Sequence, residues 1–514
     1  MTGSVPLSLR PEHPAPRRLD HLVEAFGFEA RGDCGTREIT GAAISSAAVV
    51  PGDLYVGVPG RNVHGADFSE AAVRLGAVAI LTDHAGADRA AKAGVPVLVT
   101  DQPRAVLGAV ASWIYRTNEM PACLLGVTGT NGKTTVVYLL DGLARQLGLR
   151  TGLTSTAERR IAEVATVSSL TTPEATELHA LLARMREENV AVVSIEVSAQ
   201  ALTRHRIDGI FFDVVGFTNL SHDHLDDYRD MNDYFGAKQD LFRPERASLG
   251  VVTVDSEWGR KLAREATIPV TTLATLPGVD ADWTLQLRDR SLTSTVFSLT
   301  GPLSQSIEVR IPLVGAHNAA NAALAIVMLV TAGYDLERIQ NALTDEGEID
   351  AYVPGRTEKV SGEDGPLVLI DYGHTPDAFL ATLTSLRPLV SGRIIMLFGA
   401  DGDRDTTKRA EMGAIAARGA DVVIITDFHP RSEDPALIRH ALIAGALAAE
   451  PERELYEIAR PEEALRAAIA LAKKDDVVLY AGPGHEDYRE VSGQHLPYSA
   501  RDDARLALRE AGLL

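Results

Sequence analysis

The stretch GVTGTNGKTT, residues 126–135, constrains this chain more than any other. It follows the apolar run CLLGVT and opens the run KTTVVYLLDGLARQLG, where Val136, Val137, Leu140, Leu143 and Leu147 recur at helical spacing. Strand, glycine loop and helix in that order make a phosphate cradle. Glycines let backbone N–H groups close round phosphate oxygens, and the helix N-terminus adds positive potential. Lys133 would reach the terminal phosphates and Thr134 would ligate Mg²⁺, with Gly129, Thr130, Asn131, Gly132 and Thr135 completing the loop. Val127 stands where the strict pattern G-x-x-x-x-G-K-[ST] has glycine. Regulators, motors, kinases and ligases all use such a loop, so the rest of the chain must decide.

A chain of 514 residues exceeds one hydrophobic core, and two to four domains are expected. The net charge of −20 argues against a nucleic-acid or membrane-surface partner, though not against an anion in a local basic pocket. Cys34 and Cys123 are the only cysteines. That excludes a disulfide scaffold and fits a reducing cytoplasm. The N-terminal MTGSVPLSLRPEHPAPRRLDHL has no apolar core segment and reads as a frayed extension. No run approaches the ~20 apolar residues of a membrane span, and AALAIVMLV at 322–330 reads as a core helix.

The fold class expected is α/β in three domains, with boundaries at 1–117, 118–350 and 351–514. The first mixes short strands and helices around VVPGDLYVGVPGR. In the second, AVVSIEV and FDVVGFTNL read as buried strands beside the phosphate loop. After the turn in DAYVPGRTE, the strands PLVLID, RIIMLFG, DVVIIT and DVVLYAG alternate with helical stretches, which means a mostly parallel sheet. Ligands in such sheets sit at the carboxyl ends of the strands.

Two segments place acidic and imidazole groups just beyond predicted strands: SIEVSAQALTRHR at 194–206 and FTNLSHDHLDDYRDMNDYFGAKQDLF at 217–242. Glu196, Asp223 and His224 would sit beside the phosphates, where Mg²⁺ needs few protein ligands.

With these segments in place the chain resembles the Mur ligases, ATP-dependent amide-forming enzymes of peptidoglycan precursor synthesis. The resemblance covers nearly the whole chain. It implies ATP on Lys133, and Mg²⁺ on Thr134, Glu196, His224 and a carbamylated Lys238 in YFGAKQDLF. It also implies nucleotide contacts from Asn318 and Asn321 in GAHNAAN, Arg356 in VPGRTE and Asp371 in IDYGHTPDA. Within the family the chain most resembles the enzymes that add the third stem-peptide residue. Thr171 and Thr172 of LTTPEATEL, Ser198 and Arg206 would then hold UDP-MurNAc-L-Ala-D-Glu, and the N-terminal domain would bind the uridine through Ser46. An arginine suits a substrate carboxylate because its planar fork pairs with one.

GADGDRDTTKR (399–409), DFHPRSEDP (427–435) and GPGHEDY (482–488) resemble the family's amino-acid pocket. Arg404 would hold the α-carboxylate of the incoming residue. His429, Arg431, Gly482 and Glu486 would read its side chain. The usual Asp-Asn-Pro-Arg is Phe428-His429-Pro430-Arg431 here. Arg431 suits a side-chain carboxylate, as in meso-diaminopimelate. Lysine, ornithine, diaminobutyrate or another residue stay open. Two further departures are Ser45-Ser46-Ala47 for Asp-Ser-Arg and Gln200 for a histidine. A folylpolyglutamate synthetase would share the ATP half without residues 40–68, and a P-loop regulatory ATPase is the alternative from another class.

Overall fold

The computed structural model describes residues 10–60, 62–168, 170–223 and 227–514, with Leu303 placed by its backbone alone. His224 and the first nine residues therefore lie outside the described residues. Beyond those nine, the stretch expected to fray is tied down. Arg10 donates to Asp53 at 2.6 Å, and the backbone N–H groups of Glu12 and His13 donate to Glu187 at 2.8 and 2.9 Å. Arg17–Arg18 pairs antiparallel with Glu38–Ile39, and the Arg17 guanidinium lies 3.5 Å from the Trp113 ring centre. Composition suggested a loose tail, but arginines facing fixed carboxylates and an indole order it.

Three large sheets follow in chain order. The first has five strands, ordered Glu29–Arg31, Val97–Val99, Ala79–Thr82, Asp53–Gly57, Gly41–Ala43, parallel except at its first pair. Helix Pro103–Tyr115 closes it and packs onto helix Ala175–Glu187 of the next domain. Leu107, Val110 and Ala111 share a core with Ala175, Ala180 and Ala183, so this seam is apolar.

The second sheet has eleven strands. Its six central strands, Thr151–Thr154, Val192–Glu196, Cys123–Thr128, Phe212–Phe217, Ala247–Thr253 and Val270–Ala274, are parallel. Helices Lys133–Gln146 and Ala316–Thr331 cover one face, and Ala175–Glu187 and Met231–Gln239 cover the other. Strands buried on both faces have no polar side to alternate with, which is why they read as continuous apolar runs. AALAIVMLV is a core helix, as expected.

The third sheet has six strands, parallel except for Glu358–Lys359 at one edge. Its central strands are the PLVLID, DVVLYAG, RIIMLFG and DVVIIT runs. Among the described residues, no helix is long and apolar enough to cross a membrane. Both cysteines are free.

Candidate active site

A cavity of about 960 Å³ lies between the carboxyl ends of the second and third sheets. Strand register brings its parts together. Glu196 pairs with Val127, and Phe217 pairs with Thr128. The ends of three neighbouring strands therefore bracket the phosphate loop.

The loop is braced by the residues that follow the neighbouring strand Phe212–Phe217. Thr218 Oγ1 donates to the Asn131 carbonyl at 2.7 Å, and the N–H groups of Thr130 and Asn131 donate to Asn219 at 2.9 and 3.0 Å. Gly129 has φ +147°, and a Cβ there would lie 1.9 Å from Thr218 Oγ1. Gly132 has φ +88°, and a Cβ there would meet Asn321 Oδ1 at 2.4 Å. Both positions thus demand glycine by conformation and by space. Asn321 in turn donates to Asn318 at 3.3 Å, so the helix carrying both asparagines abuts the loop. Thr135 is buried in the first turn of the loop's helix. Lys133 Nζ folds back on the carbonyls of Thr130 and Gly129 at 2.8 and 3.1 Å. Burial pulls its pKa below the usual lysine range, against the pull of Glu196 and Asp223.

Glu196 is 2% exposed. Its carboxylate accepts from Thr134 Oγ1 at 3.0 Å, from the Thr156 N–H at 2.9 Å and from the Thr156 hydroxyl at 3.1 Å. Thr134 Oγ1 also accepts from Arg356 Nη2 at 3.0 Å, which brings the linker between the second and third sheets onto the loop. Asp371 holds that linker by accepting from the Thr357 N–H at 2.7 Å. Asp223 is buried and faces Lys408 of the third domain, Nζ to Oδ1 3.3 Å. Lys238 is 1% exposed. Its Nζ donates to the Gly129 carbonyl at 2.7 Å and sits 4.3 Å from the Tyr234 ring centre. Burial first, then the charge of Lys133, push its pKa well below the lysine range, so the neutral amine is accessible.

The donor set fits Mg²⁺ beside phosphates: one buried carboxylate, one hydroxyl and a carboxylate at Asp223. Among the described residues, no group of three or more His, Cys, Asp or Glu side chains converges on one point.

On the neighbouring wall, Thr171 Oγ1 accepts from Thr156 at 3.1 Å. Thr172 lies behind the wall. It is 0% exposed, and its hydroxyl donates to the Glu196 carbonyl at 2.7 Å and accepts from the Ser198 N–H at 3.1 Å. It fixes the strand end and Ser198 instead of facing the cavity. Ser198 Oγ caps the helix Ala199–Thr203, accepting from the Ala201 N–H at 3.1 Å. Arg206 is buried against Glu174, Nε to Oε1 3.0 Å, and burial lowers its pKa. Gln200 reaches Asp227. Ser46 opens the short turn Ser46–Ala48 in the first domain and is not among the residues lining the cavity.

The opposite wall is ionic. Arg404 and Gly482 line it. Arg431, at φ +51°, places Nε 3.0 Å from Glu490 and Nη2 3.4 Å from Asp401, and Nη1 donates to the Gly402 carbonyl at 3.1 Å. The arginine expected to await a substrate carboxylate thus already faces two from the protein. His429 Nδ1 accepts from the Glu490 N–H at 2.8 Å, so Nε2 carries the proton it donates to Glu486 at 2.7 Å. Glu486 also accepts from the Tyr372 hydroxyl at 3.3 Å.

Sequence reasoning did not single out Thr156, Tyr372, His485 or Lys408. Tyr372, His485 and Lys408 fall inside IDYGHTPDA, GPGHEDY and GADGDRDTTKR, but nothing local marks their contacts. Thr156 had no such signal. It lies in an irregular stretch after the strand Thr151–Thr154, and only the fold brings it to Glu196. The His485 ring lies tilted 4.9 Å from that of Tyr372, and burial with Arg356 and Arg501 nearby drives its pKa down to about 3.

Three family profiles match the chain: "Mur ligase family, catalytic domain" over residues 38–115, "Mur ligase middle domain" over 127–329, and "Mur ligase, glutamate ligase domain" over 355–484. A UDP-N-acetylmuramyl-tripeptide synthetase of Leifsonia xyli subsp. xyli is 65% identical over all of both chains. A UDP-N-acetylmuramoyl-L-alanyl-D-glutamate–2,6-diaminopimelate ligase of Streptomyces avermitilis is 43% identical, over 97% of this chain and 98% of the relative. A solved structure of a ligase with that second name superposes with a TM-score of 0.64 at 26% identity, covering 96% of this chain and 99% of the other.

Proposed function

The chain belongs to the Mur ligase family, and on that premise we propose that it joins the third amino acid to UDP-MurNAc-L-Ala-D-Glu in peptidoglycan precursor synthesis, consuming ATP. One observation carries the reading. The braced phosphate loop and the ionic pocket of Arg404, Arg431 and Glu486 open into the same cavity. The proposed domains are 1–117 for the uridine nucleotide, 118–350 for ATP and 351–514 for the amino acid. ATP and a UDP-linked substrate place the reaction in the cytoplasm, with neither nucleic acid nor membrane as partner.

The chemistry is phosphoryl transfer followed by aminolysis. The γ-carboxylate of the D-glutamyl residue attacks the γ-phosphorus of ATP, forming an acyl phosphate and releasing ADP. The α-amine of the incoming amino acid attacks the acyl carbon, phosphate leaves, and the amine loses a proton. No protein nucleophile is needed, so positioning and charge stabilisation lower the barrier. Lys133 turns from its own loop carbonyls to the terminal phosphates. Gly129, Thr130, Asn131, Gly132 and Thr135 supply the cradle, and Asn318, Asn321, Arg356 and Asp371 hold the rest of the nucleotide. Thr171, Ser198 and Arg206 orient the dipeptide, Thr172 supports them from behind, and Ser46 contacts the uridine end. Thr134, Glu196, His224 and Lys238, the last as its carbamate, would hold Mg²⁺, which supplies neutralisation of phosphate charge when bound. The depressed pKa of Lys238 supports the carbamate, since a neutral amine is what adds CO₂.

Arg404 takes the α-carboxylate of the amino acid, and His429, Arg431, Gly482 and Glu486 read its side chain. A diamino acid is favoured, with meso-diaminopimelate narrowly ahead through Arg431 and the name of the Streptomyces relative. Its second carboxylate would exchange with Glu490 or Asp401 on Arg431.

The test supplies ATP, Mg²⁺ and UDP-MurNAc-L-Ala-D-Glu with one amino acid at a time, following phosphate release and product mass. A tripeptide product with a diamino acid is expected. ATP hydrolysis without product under every condition would instead favour the P-loop regulatory ATPase.

A further inference from the structure

We propose that Tyr372 is a positioning residue that ties the amino-acid pocket to the ATP side of the cavity and thereby sets which side chain the pocket accepts. The inference rests on the reading of 401–490 as the amino-acid pocket.

Tyr372 follows the strand Leu367–Asp371, whose last residue pairs with Ala481. That register sets Tyr372 beside the loop that begins at Gly482. The two surfaces of its side chain touch the two halves of the cavity. On its face, the Arg356 guanidinium lies 4.3 Å from the ring centre, and Arg356 donates to Thr134 of the phosphate loop at 3.0 Å. At its tip, the hydroxyl donates to Glu486 Oε1 at 3.3 Å, while the other carboxylate oxygen accepts from His429 at 2.7 Å. His374 and His485 flank the ring with centres 5.0 and 4.9 Å away, which fixes its plane.

A continuous series of contacts therefore runs from Thr134 through Arg356, Tyr372 and Glu486 to His429. Tyr372 joins the two halves of that series, taking Arg356 on its ring face and reaching Glu486 through its hydroxyl. Burial and the nearby Glu486 charge hold its phenol well above the ordinary range, so it stays a donor. Glu486 then has one oxygen fixed by Tyr372 and one by His429. Glu486 also lines the cavity. Without the Tyr372 bond, the carboxylate can turn about its own axis and the pocket loses discrimination.

Two substitutions separate the two interactions. Tyr372→Phe keeps the face for Arg356 and removes the donor. It should raise KM for the amino acid roughly fivefold and flatten the kcat/KM ratio between meso-diaminopimelate and L-lysine, with KM for ATP within about twofold of wild type. Tyr372→Leu removes the face as well, so KM for ATP should rise too. Combining Tyr372→Phe with Glu486→Gln should add little to the effect of Glu486→Gln alone, because both act through one bond. A purely structural role would move all substrates together. The proposal is overturned if Tyr372→Phe leaves the amino-acid KM and the ratio at wild-type values, or moves the ATP and amino-acid KM equally. If the wild-type chain makes no tripeptide product with any amino acid, the underlying reading fails instead.

Discussion

The phosphate loop and the amino-acid pocket face one cavity but are held in opposite ways. The loop is shaped largely by hydrogen bonds to its backbone from segment 218–221 and from two lysines, with two glycines where a side chain would collide with its neighbours. The pocket is shaped by charged pairs among segments that begin at 401, 427 and 482. The pocket's charges are balanced against one another, so under the proposed function a substrate carboxylate would exchange partners on Arg431. Tight backbone geometry suits the invariant polyphosphate, and exchangeable ion pairs suit the variable side chain.

The largest expected effect is on the loop. Lys133→Ala should lower turnover by roughly 10³-fold or more, because it removes charge from the transferring phosphoryl group. Turnover with saturating ATP checks this, and a loss below about tenfold would separate the loop from the chemistry. Arg404→Ala comes next. It should raise KM for the amino acid by about 10²-fold while leaving KM for ATP near wild type. Equal changes in both would mean that the two regions are not separable.

Glu490→Gln sharpens the contrast further. It takes one carboxylate from Arg431, so amino acids with a distal carboxylate should gain on L-lysine by about fivefold in kcat/KM. An unchanged ratio would place side-chain reading elsewhere.

The smallest effect lies outside both regions. His179 is fully buried between Thr117 Oγ1 at 2.7 Å and the Asp208 carbonyl at 2.9 Å, and burial lowers its pKa to about 4. Its unfolded pKa is about 6.5, so the unfolded chain binds more protons between these values. The contribution is complete above about pH 6.5 and is lost as pH falls through 4, to a limit of about 3 kcal/mol. His179→Gln should flatten that part of a urea-midpoint titration without changing substrate KM.

The same contrast explains what the sequence revealed. Strand, loop and helix around 126–146 are local, and so are the apolar runs that became the parallel sheets. Their order and type were legible from periodicity and glycine spacing. Glu196 was legible as a strand-end acid, but its distance to Thr134 required the register with Val127. The partners of Arg431 were not legible. Asp401 and Glu490 lie 30 and 59 residues away, and nothing local marks either as a counter-charge. Thr172 shows the reverse limit: its place in a motif suggested a substrate contact, while burial turns its hydroxyl to the Glu196 carbonyl. The ordered arginines near the N-terminus were missed because composition does not encode their partners.

The most direct test of two separable regions is isotope exchange without an amino acid. Labelled ADP would be incubated with ATP, Mg²⁺ and UDP-MurNAc-L-Ala-D-Glu, and label entering ATP would be measured. Acyl-phosphate formation on the loop side alone predicts exchange that depends on the dipeptide substrate, persists in Arg404→Ala and vanishes in Lys133→Ala. Exchange that appears only when an amino acid is added would contradict it, because the pocket would then be part of the phosphoryl-transfer machinery.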